Sequence, residues 1–214
     1  MNVLAIDTAS VCSVAVMHRG RPAVVRRRDI ARGHAEVLVP MIGDAMAEAG
    51  LTFDALDLVA AAVGPGSFTG LRTGLAAARG LALAVEKPTH GISSFAATAF
   101  VAAARRPILI ALESKRAEIY VQAFDAALHP MTEPMLRRPE DIAPLLPSGI
   151  ACMAGDAAER LRARLAAEIV DVAFGDAAAI ATIAAAEHQA RVAGLPLRPL
   201  YLSPPLAMAS AGAR

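Results

Sequence analysis

Along the first hundred residues the apolar positions change period several times, and each change predicts an element. VLAID, CSVAVMH and, after a turn at Arg19-Gly20, PAVVRRRDI are short runs with strand character, the last ending in alternating apolar and basic residues. Connections this short predict antiparallel pairing. From His34 the period lengthens, because Leu38, Met41, Ile42, Ala45, Met46 and Ala49 fall at helical spacing, and Gly50 is placed to cap the end. LDLVAAAV, residues 56–63, is continuously apolar and predicts a strand covered on both faces in a parallel arrangement. An alanine-rich helix to about Glu86, a short strand around Thr89 to Ile92 and a helix from Ser93 to Arg105 complete the order βββ-α-β-α-β-α.

The plan then starts again. PILIALES and EIYVQAFD are strands separated by a polar turn, and ALESKRAEIYV echoes AIDTASVCSVAV, with Glu113 standing where Asp7 stood. Weaker echoes predict helices near Pro139 to Leu146, Asp156 to Ala167 and Asp176 to Val192. The reading is a degenerate duplication giving two similar α/β lobes, residues 1–105 and 106–214, the second reduced. The Pro-rich and then small, polar end, PLRPLYLSPPLAMASAGAR, is expected to be loose over its last several residues.

Composition narrows the function classes. Apolar residues make up 56% of 214, with alanine prominent and no Trp, so the core must be assembled from small side chains at short range. The net charge is +1, so no global positive field gathers nucleic acid. Cys12 and Cys152 are far apart, with no CxxC or Cys/His spacing, which argues against a disulfide framework and a zinc site. MNVLAIDTAS lacks the build of a signal peptide and no run reaches the ~20 apolar residues of a membrane span, so the expectation is a soluble cytoplasmic protein without a membrane role.

GPGSFTGLRTG, residues 64–74, looks like a phosphate loop but fits neither the Walker spacing, for want of a lysine, nor the dinucleotide fingerprint, because Gly70 arrives one residue late. A turn at Gly64-Pro65-Gly66 followed by a helix with Ser67 or Thr69 as N-cap fits better. Gly70, Gly74 and Ala78 then recur every four residues, and a glycine inside a helix costs about 1 kcal/mol against alanine. Close approach of another helix along that row would offset the cost, while Leu71, Leu75, Ala78 and Ala82 form a second apolar stripe. The partner for this two-faced helix is the Met-rich helix, a copy of the chain or another protein. Anion binding stays open for the first half of the loop.

AIDTA, HAEVLVPMI, GPGSFTGLRTG, PTHGISSFAATA, ESKRAEIY and PLYLSPP, in this order, resemble the TsaB (YeaZ) family, and GPGSFTGLR is the most specific of them. The match covers most of the chain. Departures are Glu113-Ser114 for a common Asp-Ala, Ala117 for a usual glycine and Thr73 where Ile is frequent. The resemblance implies an actin-like ATPase fold of two RNase-H-like lobes. It also implies a non-catalytic subunit that supports a TsaD-like catalytic partner in threonylcarbamoyl transfer to the tRNA adenosine next to the anticodon. In the family a TsaE-like ATPase joins the complex, tRNA is reached only through it, and ATP and metal belong to the catalytic partner. That partner's HxExH metal motif, laid on GISSFAATA, falls on Ser94, Ala96 and Thr98, none of them a ligand type for it.

The expected partner interface is His34, Leu38, Met41 and Ala45 on the first helix and Gly70, Arg72, Gly74, Leu75, Ala78 and Arg79 on the second. The same helices allow a homodimer when the chain is alone. No catalytic, cofactor or metal residue is assigned. The alternative is an autonomous actin-like ATPase or small-molecule kinase, in which Asp7 would orient magnesium; its other reading is a turn-stabilising carboxylate. The five histidines form no HxxxH or HExxH pair, and Ser67 reads as a cap. Arg26 to Arg28 and Arg160, Arg162 and Arg164 read as solvated faces, with tRNA contact as the other reading.

Overall fold

The computed structural model describes residues 1–29 and 33–202. Its first sheet contains β1 (Val3–Asp7), β2 (Cys12–His18), β3 (Arg21–Arg28), β4 (Leu58–Gly64) and β5 (Thr89–Ser93), in the order β3-β2-β1-β4-β5. The first three pair antiparallel, as their short connections predict, and β4 and β5 add in parallel. The continuous apolar run of β4 is explained by two cores. Val59, Ala61 and Val63 face one, and Leu58, Ala60 and Ala62 face the other.

The second sheet repeats the pattern with β6 (Ile108–Glu113), β7 (Ile119–Phe124), β8 (Met135–Arg137), β9 (Cys152–Ala154) and β10 (Glu168–Ile169). Its order, β8-β7-β6-β9-β10, is that of the first sheet element for element, so the duplication read in AIDTASVCSVAV and ALESKRAEIYV is physical. Three of its strands have only two or three residues, which is the reduction expected of this lobe.

The helices depart from the expected plan. Over 139–146 there are only single tight turns, Pro139–Asp141 and Ala143–Leu145, because Pro144 and Pro147 supply no N–H to continue a helix. Over 156–167 only Ala158–Leu161 is helical, and beyond Leu161 no residue is fully buried against the sheet to extend it. Helix α1 (His34–Glu48) and helix α2 (Phe68–Ala84) lie side by side on one face of the first sheet. Helix α3 (Ser94–Ala102) lies between the lobes: Phe95 and Ala99 enter the core of the second sheet, while Ala97 faces the first. Helix α4 (Ala177–Gln189) returns to the first sheet, burying Ala177, Ile180, Ala181 and Ala184 against Val3, Ala5 and Leu58.

The boundary at 105/106 therefore separates the two sheets but not the two lobes, and 106–214 is not a self-contained unit. The lobes are joined through shared helix cores. After α4 the chain crosses the first lobe again as a strap. Leu195 exchanges backbone hydrogen bonds with Gly91 (2.8 and 3.0 Å), the Leu200 N–H donates to the Val63 carbonyl (2.8 Å), and Leu197 is buried. His90 and Glu187, 2.6 Å apart, tie β5 to α4 beneath it. The looseness expected of the chain end falls on 203–214, outside the described residues.

Candidate protein-docking face

The glycine motif is a seat for the β1–β2 turn. The Ser67 N–H donates to the Ala9 carbonyl (2.7 Å), the Thr8 hydroxyl donates to the Gly70 carbonyl (2.8 Å), and Ser67 Oγ caps α2 by accepting from the Gly70 N–H (3.2 Å). A methyl group at Gly66 would meet Ala9, one at Gly70 the Thr8 carbonyl oxygen, and one at Gly74 the Thr8 hydroxyl. Close approach is thus the reason for these glycines. The approaching group is the chain's own Asp7-Thr8-Ala9 turn, which corrects the expectation of a second helix at Gly70 and Gly74.

Asp7 is 4% exposed and its Oδ1 accepts from the Ala9 N–H (2.8 Å), the turn-stabilising role among its two readings. Burial pushes its carboxyl up from 3.8 to about 7, against the Ala9 hydrogen bond, with Asp176 adding to the rise and Arg27 opposing it. Asp176 caps α4 through the Ala179 N–H (2.9 Å), and the Ala177 N–H donates to Ser13 Oγ (3.0 Å). The carboxylate end of β1 is therefore the point where the returning helix is attached.

Most of the expected interface residues lie in the chain's own interior. Leu38, Met41, Ala45, Leu75 and Ala78 belong to one core cluster under α1 and α2, and Gly70 and Gly74 are buried against Thr8. They shape the helices and are closed to direct contact. His34 begins α1, but its side chain lies outside the described residues. Of those whose side chains are described, only Arg72 and Arg79 stand on the surface. Arg79 Nε donates to the Leu75 carbonyl (3.2 Å).

The outward faces of the two helices are one step further round. On α1 these are Val39, 64% exposed, Gly43 and Ala47; on α2 they are Ala76, Gly80 and Leu83, the last 81% exposed. A Cβ at Gly43 or Gly80 would meet nothing within 4 Å. Two adjacent helices thus present small residues flanked by bare aliphatic side chains, a shape that lets further helices approach closely. Helical period alone does not separate this row from the buried one, because both recur every three or four residues. On the side of α1 away from α2, β3 and α1 enclose a groove of 540 Å³ where Arg26 bridges to Glu48 (2.7 Å) and Asp44 (3.7 Å).

The remaining sequence candidates are structural. On α3, Thr98 Oγ1 donates to the Ser94 carbonyl (2.8 Å) and accepts from the Gly175 N–H (3.0 Å), so two of the three HxExH positions sit in the joint between lobes. Among the described residues no three His, Cys, Asp or Glu side chains gather as metal ligands, and no helix is long and apolar enough to cross a membrane. Arg160, read as solvated, instead grips the β6–β7 turn. Its guanidinium donates to both oxygens of Glu113 (3.1 and 2.9 Å) and to the carbonyls of Arg116 (3.2 Å) and Ala117 (2.5 Å). Arg162 pairs with Glu159 on the surface.

Residues 25–197 match the family described as TsaD, tRNA N6-adenosine threonylcarbamoyltransferase. The tRNA threonylcarbamoyladenosine biosynthesis protein TsaB of Haemophilus influenzae is 35% identical over 130 residues, 60% of this chain and 51% of that protein. The chain thus spans about half the length of the relative it matches. A solved protein from Pseudomonas aeruginosa, described as similar to peptidase YEAZ, superimposes with a TM-score of 0.83 at 28% identity over 94% of this chain and 99% of that one. The activator of 2-hydroxyisocaproyl-CoA dehydratase from Clostridium difficile, solved with ADPNP, shares the two-lobed fold at a TM-score of 0.50 and 11% identity, covering 92% of this chain and 100% of that one.

Proposed function

The chain belongs to the TsaB (YeaZ) branch of the TsaD family, and on that premise we propose that it is a non-catalytic subunit that docks on and supports a TsaD-like catalytic partner. The reaction it serves is threonylcarbamoyl transfer to the tRNA adenosine next to the anticodon, in the cytoplasm. ATP and metal sit on the partner, a TsaE-like ATPase completes the assembly, and tRNA meets this chain only within it.

The observation that carries the reading is the exposed row Val39-Gly43-Ala47 on α1 beside Ala76-Gly80-Leu83 on α2. Gly80 inside a helix costs about 1 kcal/mol against alanine, and the fold gives nothing back, since a Cβ there would meet nothing within 4 Å beyond its chain neighbours and the backbone of its own helix. A helix of a partner laid on the row would supply the contact. Two further points support a supporting role. Ser94, Ala96 and Thr98 replace the partner's metal motif and are used in packing, and Asp7 spends its carboxylate on its own turn.

The test is co-purification with the TsaD homologue of the same organism, using Leu83→Asp with Gly80→Asp against the control Val192→Asp, an exposed apolar residue away from α1 and α2. The double variant should lose the partner while keeping its thermal midpoint, and the control should keep both. Retention of the partner by the double variant would sink the reading. The same face allows a homodimer in isolation, which sedimentation of the free chain reports.

A further inference from the structure

At the N-terminal end of α2 three side chains, one of them 129 residues further along the chain from its partner Arg72, meet on the surface. The Arg72 guanidinium lies 3.7 Å over the Phe68 ring, and its Nε donates to the Tyr201 hydroxyl (3.1 Å). The Phe68 and Tyr201 rings are 6.0 Å apart at 32°. Both remain about half exposed, 54% and 48%. Tyr201 is held there because it follows Leu200, which is hydrogen-bonded to Val63 at the end of β4. We infer that Phe68, Arg72 and Tyr201 form a preorganised anchor that receives a carboxylate of the catalytic partner, with the C-terminal strap as a third element of the docking face.

The anchor continues the exposed row, because Phe68, Arg72, Ala76, Gly80 and Leu83 follow one another at helical spacing along α2. Charge decides what it receives. Helix α2 contains no acidic residue, and its exposed cations are Arg72 and Arg79. The Nη atoms of Arg72 have no hydrogen-bond or ion-pair partner among the described residues. A stacked arginine with its fork free binds a carboxylate with two parallel hydrogen bonds. Part of the side-chain ordering that binding requires is already met by Phe68 and Tyr201. Aromatic residues and arginine are also the types that dominate interface energetics. A protein is favoured over nucleic acid because the row is otherwise apolar and only two cations stand on it.

This inference rests on the partner reading above, and the experiment separates the two. Binding of the purified TsaD homologue is measured by calorimetry for the wild type, Tyr201→Phe, Arg72→Lys and Leu83→Asp with Gly80→Asp, at low and high salt. Tyr201→Phe removes one hydroxyl and should weaken binding about fivefold with an unchanged thermal midpoint. Arg72→Lys keeps the charge but loses the fork and the stack, and should weaken binding about tenfold or more. The double variant should not bind. If the double variant fails to bind while Tyr201→Phe and Arg72→Lys bind like the wild type, the docking reading stands and the anchor is wrong. Tighter binding by Tyr201→Phe would also overturn it, since the strap would then be competing with the partner. So would losses confined to self-association or to tRNA binding. No binding by the wild type would overturn the partner reading and the anchor together.

Discussion

Two glycines of α2 should respond to the same substitution with opposite signs. Replacing a helical glycine by alanine gains about 1 kcal/mol of helix propensity wherever the methyl group fits. At Gly80 the space is open, so Gly80→Ala should raise the thermal midpoint by about 2–4 °C for a chain of this size. At Gly70 the new methyl meets the Thr8 backbone carbonyl, and backbone cannot rotate away as a side chain can. Relieving it moves α2 off the β1–β2 turn, with about 1–3 kcal/mol of overpacking and loss of the Thr8 to Gly70 hydrogen bond, about 1 kcal/mol more. Subtracting the propensity gain, which is smaller in the first turn, leaves a net loss of about 2 kcal/mol, or about 4–8 °C. Differential scanning calorimetry at a concentration where the chain is monomeric measures both. A rise at Gly70→Ala, or a fall at Gly80→Ala, would refute the assignment of one glycine to packing and the other to an open face.

Asp7→Asn should change how stability depends on pH. A carboxyl raised from 3.8 to about 7 on folding favours the protonated native state, so its contribution is complete below pH 4 and is lost as pH rises to about 7. The loss is on the order of 4 kcal/mol. The midpoint of Asp7→Asn relative to wild type should therefore climb between pH 4 and 8; a gap that does not vary with pH would contradict this. Arg160→Met should lower stability by about 2 kcal/mol by freeing Glu113 and two carbonyls, read by urea unfolding, whereas Arg162→Met, on an exposed pair, should stay within about 0.5 kcal/mol. Gly194→Ala would push a methyl group into the His90 ring, so it should loosen the strap and speed proteolysis near residue 195; unchanged cleavage would show that the ring gives way.

The order of the first eight elements was legible because each run has one period and one job. Cys12 to His18 is a short, mostly apolar run, α1 repeats at helical spacing, and β4 is apolar throughout because it is sandwiched. The duplication was legible from Asp7 and Glu113 at matching strand ends. The path of α4 was not. Its sequence, AAAIATIAAAEHQ, is nearly uniform in hydrophobicity around the helix, so nothing in it names the sheet it covers. The same limit applied to the proposed docking face. Gly70 and Gly74 announce that something comes close, but only the fold shows that it is Thr8, and the row bearing Gly80 carries the same helical period. Arg72 and Arg79 were found because long charged side chains at such positions reach the surface whichever way the helix is turned.

Reconstituted tRNA modification tests the central claim most directly. The TsaD homologue is assayed with tRNA, the threonylcarbamoyl donor and ATP, alone, with this chain, and with its Leu83→Asp, Gly80→Asp form. The account predicts modification with the wild-type chain, a loss of at least about a hundredfold with the double variant, and none from this chain alone. Modified tRNA made by this chain without the partner, or equal activity of the partner with and without it, would contradict the account.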